Sequence, residues 1–325
     1  KKQIKLLKMK VLLLIAVLAA FVATVLGSDY YLTPFGYVHK KCISKMSGGD
    51  HLYDHGKGKG VSITSEAGEK RHIPTCDVPA HLRIMSEDPS SPNAPQKQKK
   101  ESRADGWQVY TQFNNANNVS FDSFLGYFNV PQRPAKSGFD TTTVFLFTGL
   151  QNDDWVPLHG PPFSGVPRNF DIIQPVLQWG PSAAGGGDYW SLASWYVTTD
   201  DGAIFSQPKR LEAGDVIFGN MTQTGTNTWF IGSEVTAKQI VSNIHVTKPR
   251  LASQAWAFVT LEVYGLHDCE EFPPSSSPCV FDKMSLTTKG MPTVPQWESK
   301  VGGTTISSCN QKLSVLSPSR VVIKF

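Results

Sequence analysis

From Trp107 onward the chain alternates between short apolar or aromatic runs and breaks made of Gly, Pro, Asn or Asp. The runs are Phe124–Val130, Thr143–Phe147, Ile172–Trp179, Tyr189–Val197, Val216–Met221, Thr228–Ser233, Ile240–Val246, Trp256–Tyr264 and Phe281–Leu286. No segment keeps a helical period over a useful length. Many short runs with turn chemistry between them predict an all-β domain, a two-sheet antiparallel β-sandwich. The proline-rich stretch 153–169 reads as a long loop between strands, and no internal repeat is present.

Two runs carry the chemistry. Side chains alternate between the faces of a strand. In Ile172–Trp179 this puts Gln174, Val176 and Gln178 on one face and Ile173, Pro175, Leu177 and Trp179 on the other. In Trp256–Tyr264 one face is aliphatic: Ala257, Val259, Leu261 and Val263. The other holds Trp256, Phe258, Thr260, Glu262 and Tyr264. A single carboxylate among aromatics reads as the floor of a groove rather than a solvated face. Trp190 and Trp195 are read as further groove aromatics.

The rest of the chain sets the frame. Residues 1–27, with a native start at Met9, read as a secretory signal peptide, so a secreted protein without a membrane segment after cleavage is expected. Residues 28–85 form a loop-like segment holding five of the eight histidines, and residues 86–105 are a polar linker with Lys99-Lys100 open to proteolysis. The sandwich is expected over 106–290, followed by a polar tail over 291–325. The five cysteines suit an oxidising compartment. A bridge between Cys42 and Cys76 is expected, with one of Cys269, Cys279 and Cys309 left over. Asn118-Val-Ser120 and Asn220-Met-Thr222 are glycosylation sequons.

Charge excludes one class of partner. Residues 28–104 hold 12 Lys/Arg against 9 Asp/Glu, whereas residues 105–325 hold 14 against 18. The body has no basic stripe, so no nucleic-acid partner is expected. No metal or other cofactor is expected either. His51 and His55 are four apart, but the glycines around them deny the helix that would aim both at one ion. The nucleophile elbow, the zinc-protease helix motif and the phosphate loop are all absent.

The order of the remaining motifs resembles the glutamic peptidases, the fungal eqolisin-type acid endopeptidases. Ile172-Ile173-Gln174-Pro175 stands where that family has its glutamine strand, of the form Ile-Leu-Gln-Thr-Gly. Ser194-Trp195-Tyr196-Val197 stands for Glu-Trp-Tyr-Pro, and Ala213-Gly214-Asp215-Val216 for the Glu-Gly-Asp turn. The strand from Trp256 to Glu262 is similar to the one carrying the catalytic glutamate. The departures are Ser194, Pro175 and two extra residues between Trp256 and Glu262.

The resemblance implies a jelly-roll, concanavalin A-like sandwich and a polypeptide substrate. Glu262 would act as general base and then acid, and Gln174 would donate to the developing oxyanion. Gln178, Trp190, Trp195, Trp256 and Tyr264 would bind substrate. It also implies that residues 28–104 are a pro-segment, masking the acidic body by charge and released in acid; a permanent cap is the alternative. A monomer is expected. Aromatic faces also stack on sugars. A carbohydrate-binding or carbohydrate-cleaving protein, with Asp188 or Glu234 as second carboxylate, therefore stays open, as does a non-catalytic surface protein.

Overall fold

The structure, a computed structural model, describes residues 29–55, 59–78, 84–85, 104–136, 142–157, 170–248, 253–302 and 309–325. The expected signal peptide and the basic part of the linker lie outside these residues.

The strands follow in chain order. The N-terminal segment supplies β1 (Tyr30–Thr33), β2 (Gly36–His39), β3 (Ile43–Met46), β4 (His51–Asp54), β5 (Val61–Thr64), β6 (Lys70–Ile73) and β7 (Ile84–Met85). The body supplies β8 (Ala104–Asn114), β9 (Ser123–Asn129), β10 (Thr143–Gln151), β11 (Asp171–Ser182), β12 (Gly185–Thr198), β13 (Gly202–Ser206) and β14 (Lys209–Leu211). It continues with β15 (Val216–Gly225), β16 (Thr228–Val235), β17 (Ile240–Thr247), β18 (Trp256–Leu266) and β19 (Cys279–Thr288). The chain ends with β20 (Met291–Thr293), β21 (Glu298–Val301), β22 (Lys312–Ser317) and β23 (Arg320–Lys324). Eight of the nine apolar runs singled out in the sequence fall within strands, and Phe124–Val130 overruns β9 by one residue, as β-branched and aromatic alternation leads one to expect.

The fold is an all-β sandwich. One sheet runs β21-β8-β18-β10-β11-β12-β13-β3, with β14 beside β12; the other runs β22-β23-β19-β9-β15-β16-β17-β4-β5-β6, with β20 beside β19. The pairings are antiparallel except β13–β3 and β17–β4, where the N-terminal segment joins. Between the sheets lies the main core, with Leu146, Ile173, Leu177, Val259 and Leu261 from the first sheet and Phe128, Ile217, Met221, Ile231 and Ile244 from the second. A second apolar cluster lies on the other face of the first sheet, where β1, β2 and β7 form a small third layer.

Two expectations need correction. The segment read as loop-like is built of short strands, stapled by Cys42–Cys76, and it extends both sheets. The joining strands β3 and β4 are only four residues long, and their partners in the body lie far away in sequence. The polar tail is likewise part of the sandwich: β21 pairs with β8, and β23 with β19. Cys269–Cys309 ties it down, and Cys279 is the free cysteine, buried beside the Asn129 carbonyl.

The N-terminal segment fits closely. Gly202 opens β13 at φ +87, and a Cβ there would meet the Cys42 carbonyl oxygen at 2.0 Å. Only glycine allows β3 to approach that turn.

Candidate active site

Alternation puts Glu262 on the face covered by the third layer. Its neighbours there are Phe258 and Tyr264 from β18, Trp107 and Tyr110 from β8, and Phe145 and Phe147 from β10. Glu262 is fully buried. Its Oε1 accepts the Tyr264 hydroxyl at 2.6 Å. Its Oε2 has no hydrogen-bond partner of good geometry, nor has the indole N–H of Trp107, which stands opposite it in the β8–β18 pairing. Taking a carboxylate out of water favours its neutral form. Burial therefore pushes Glu262 up to about 8, against smaller opposing effects of the Tyr264 hydroxyl and the Trp107 indole.

The register then decides which glutamine faces Glu262. Phe145 on β10 is opposite Glu262 on one side and Gln178 on the other. Gln178 and Glu262 are therefore level, two strand spacings or about 9.6 Å apart, with the Phe145 ring between them. Gln174 is elsewhere. Continuing the β10–β11 register brings it level with Gly149, whose own partner on β18 is Phe258. That is four residues along the strand from Phe145, or roughly 13 Å. The expected pairing of Gln174 with Glu262 is thus corrected: the two share a face but do not meet. Pro175 accounts for part of the local irregularity, since it has no N–H for the ladder and the β10–β11 pairing is interrupted at Gln174 and Pro175.

Both glutamines are engaged. Gln174 donates from Nε2 to the Pro34 carbonyl at 3.0 Å, while its Oε1 is buried without a partner. Gln178 donates to the carbonyls of Gly180 and Gly185 at 2.7 and 2.8 Å and accepts from Ser182 at 2.7 Å. Its amide rests on Gly186, where a Cβ would come within 2.4 Å of Nε2.

The remaining expected site residues divide. Trp195 packs on this face against Phe205, opposite Gln174. Tyr264 packs there too, edge-on to Tyr37 of the third layer. Trp256 is half-buried at the start of β18. Trp190 lies on the opposite face, in the main core against Trp179, so its reading as a groove aromatic is corrected. Five residues separate it from Trp195, an odd number that puts the two on opposite faces. Of the suggested second carboxylates, Asp188 is exposed at the start of β12 and Glu234 belongs to the other sheet.

Two nearby residues were missed by sequence reasoning. In the sequence Trp107 reads only as the start of the body. Asp105 reads as linker, yet it is buried and accepts the Gly265 N–H at 2.5 Å; burial raises the Tyr264 hydroxyl, with smaller contributions from Glu262 and Asp105. A signal for Gln178 was present: Val176-Leu177-Gln178-Trp179-Gly180 keeps the glycine two places after the glutamine, as Ile172-Ile173-Gln174-Pro175 does not.

The covering layer is apolar. Phe35, at the tip of the β1–β2 hairpin, stacks on Phe170 at 4.9 Å and packs against Trp155 at 5.0 Å. Leu32, Tyr37 and Val38 join the same cluster. The hairpin touches the face through these rings and through two carbonyls, Pro34 accepting from Gln174 and Leu32 accepting from the Ala183 N–H at 2.7 Å.

No protein-family model matches the chain, and no curated protein matches its sequence. Solved structures similar to it include scytalido-glutamic peptidase with a transition state analog inhibitor, at 14% identity, 69% of this chain, 99% of that chain and TM-score 0.47. SCP-B, a member of the Eqolisin family of peptidases in a complex with the tripeptide Ala-Ile-His, is similar at 15% identity, with the same shares and TM-score 0.46.

Proposed function

We propose that the chain is a glutamic-type acid endopeptidase held in a covered form. The observation that carries this reading is Glu262: a buried carboxyl with one oxygen unpartnered, level with the Gln178 amide on an aromatic sheet face. In this reading Glu262 takes a proton from water as that water attacks the peptide carbonyl, then returns it to the leaving amine. Gln178, released from the Gly185 carbonyl, donates to the oxyanion, a task that a neutral amide performs at any pH.

The N-terminal hairpin is the cover. Gln174 already holds a peptide carbonyl, that of Pro34, so the hairpin lies where a polypeptide would cross the sheet. Under the cover Glu262 is fully buried and is protonated below about 8. Removing the cover hydrates the carboxyl and lowers its pKa. Both cysteines of the Cys42–Cys76 bridge lie in the segment, so cleavage of the linker leaves no covalent tie to the body.

The test is hydrolysis of a denatured protein between about pH 2 and 7, bracketing ordinary carboxyl pKa values, before and after release of the N-terminal segment. Glu262→Gln and Gln178→Ala should each abolish turnover, while Gln174→Ala retains it and eases release. Folded, uncovered protein with no activity at any pH would overturn the reading. Glycan binding by that protein, retained in Glu262→Gln, would establish the carbohydrate-binding alternative.

A further inference from the structure

The outward face of the second sheet carries an apolar patch with one amide at its centre. Along β15, Ile217, Gly219 and Met221 point into the core, while Phe218, Asn220 and Thr222 point outward. Phe218 packs against Tyr127 of β9, with ring centroids 5.0 Å apart. Leu125 stands opposite Asn220 on β9, and Gly232 stands opposite it on β16. The Phe230 ring lies over that glycine, since a Cβ there would meet ring carbons at 2.5 Å. Asn220 is thus bordered by Phe218, Leu125 and Phe230. Tyr127 is 39% exposed, with the Lys283 ammonium 5.5 Å from its ring centroid, and Phe218 beside it is partly exposed. An exposed cluster of this kind calls for a cover.

We propose that the cover is a glycan of this chain, linked to Asn220, whose first sugar lies on the Phe218–Tyr127 rings. Phe218-Gly219-Asn220-Met221-Thr222 combines the acceptor asparagine, the required hydroxyl two residues later and a ring two residues earlier. In an extended strand all three project to the same side, and the Thr222 hydroxyl donates to Asn220 Oδ1 at 2.5 Å. The axial C–H groups of a hexose present an apolar face that matches a phenyl ring. The other sequon is differently placed: Asn118 lies in a left-handed turn at φ 53, away from this ring pair.

The co-substrate is a lipid-pyrophosphate-linked oligosaccharide, used during export while the chain is still extended. A bond forms between Asn220 Nδ2 and the anomeric carbon, and the bond from that carbon to the pyrophosphate oxygen breaks. The lipid pyrophosphate leaves with the electron pair, and Nδ2 loses one proton to a base. The two disulfides fit passage through such a compartment.

The experiment is to export the full chain from a eukaryotic cell behind that cell's own leader, and to read Asn220 occupancy by peptide mass. Thermal midpoints are then compared for the exported chain, the same chain trimmed to its first sugar, and the same sequence made without glycosylation. We expect Asn220 to be occupied, trimming to leave the midpoint unchanged, and the sugar-free chain to melt about 2–4 °C lower, as a modest stability change does in a domain of this size. In Phe218→Ala that difference should shrink by half or more. An exported chain with Asn220 unmodified overturns the proposal. So does a midpoint difference that is the same with and without the Phe218 ring. Neither result depends on peptidase activity.

Discussion

Tyr264 donates a hydroxyl hydrogen bond to Glu262 Oε1 across 2.6 Å, from two residues further along the same strand. The bond satisfies one oxygen of a carboxyl that burial holds up at about 8. A carboxyl raised in the folded state costs nothing below its unfolded pKa near 4.5 and costs progressively more as pH climbs toward 8. Asp171 and Asp201 are raised in the same sense by burial, to about 6 and about 7. These three carboxyls should therefore withdraw stability from about pH 4.5 upward. Glu262→Gln should remove a share of that loss on the order of a few kcal/mol. Urea midpoints at several pH values read this, and parallel curves for wild type and variant would contradict it.

Among the described residues, Lys248 is the cation of a buried polar knot. Its Nζ is 3.3 Å from Asp54 and 3.2 Å from the Tyr196 hydroxyl, and its charge offsets part of the rise that burial gives Asp171 and Asp201. Gln254 donates to Asp171 beside it. Lys248→Met should cost about 3–5 kcal/mol by leaving buried carboxyls unpaired, and part of this should return in acid as they protonate. A loss below about 1 kcal/mol at pH 7, the worth of an exposed pair, would show the knot to be solvated.

His51 and His245 stack face to face across the parallel β4–β17 seam, with centroids 5.7 Å apart. Burial and the neighbouring ring lower His245. A histidine lowered in the folded state withdraws stability as pH falls. Relative to the intrinsic, base-catalysed exchange rate, the protection of β4 amides should fall below about pH 6.5, the ordinary histidine range, while the sandwich strands stay protected. His245→Phe should abolish the effect, and equal protection of β4 at pH 5 and 7.5 would refute it.

Phe35 is fully buried between Phe170 and Trp155. Phe35→Ala should cost about 3–5 kcal/mol at that site, felt as local opening of the hairpin. Limited proteolysis should cut residues 29–55 sooner and spare the sandwich. Loss of both together would make the two a single cooperative unit.

The sandwich was legible because its strands alternate over five or more residues, and periodicity is a local property. Glu262 was legible because a carboxyl among Trp256, Phe258 and Tyr264 breaks the pattern of a solvated face. Its glutamine was not, because Gln174 and Gln178 share one face and only the β10 register separates them. Register is a contact between distant segments, and face assignment leaves it open. Strands β3 and β4 were invisible for a related reason: their partners β13 and β17 lie roughly 160–190 residues downstream.

Those two parallel pairings have a consequence for solubility. Without β3 and β4, the strands β13 and β17 would each end a sheet with a row of unsatisfied amides and carbonyls. Such borders recruit other chains. The N-terminal segment therefore guards the body against self-association, and a processed protein that has shed it should tend to pair with copies of itself along these borders.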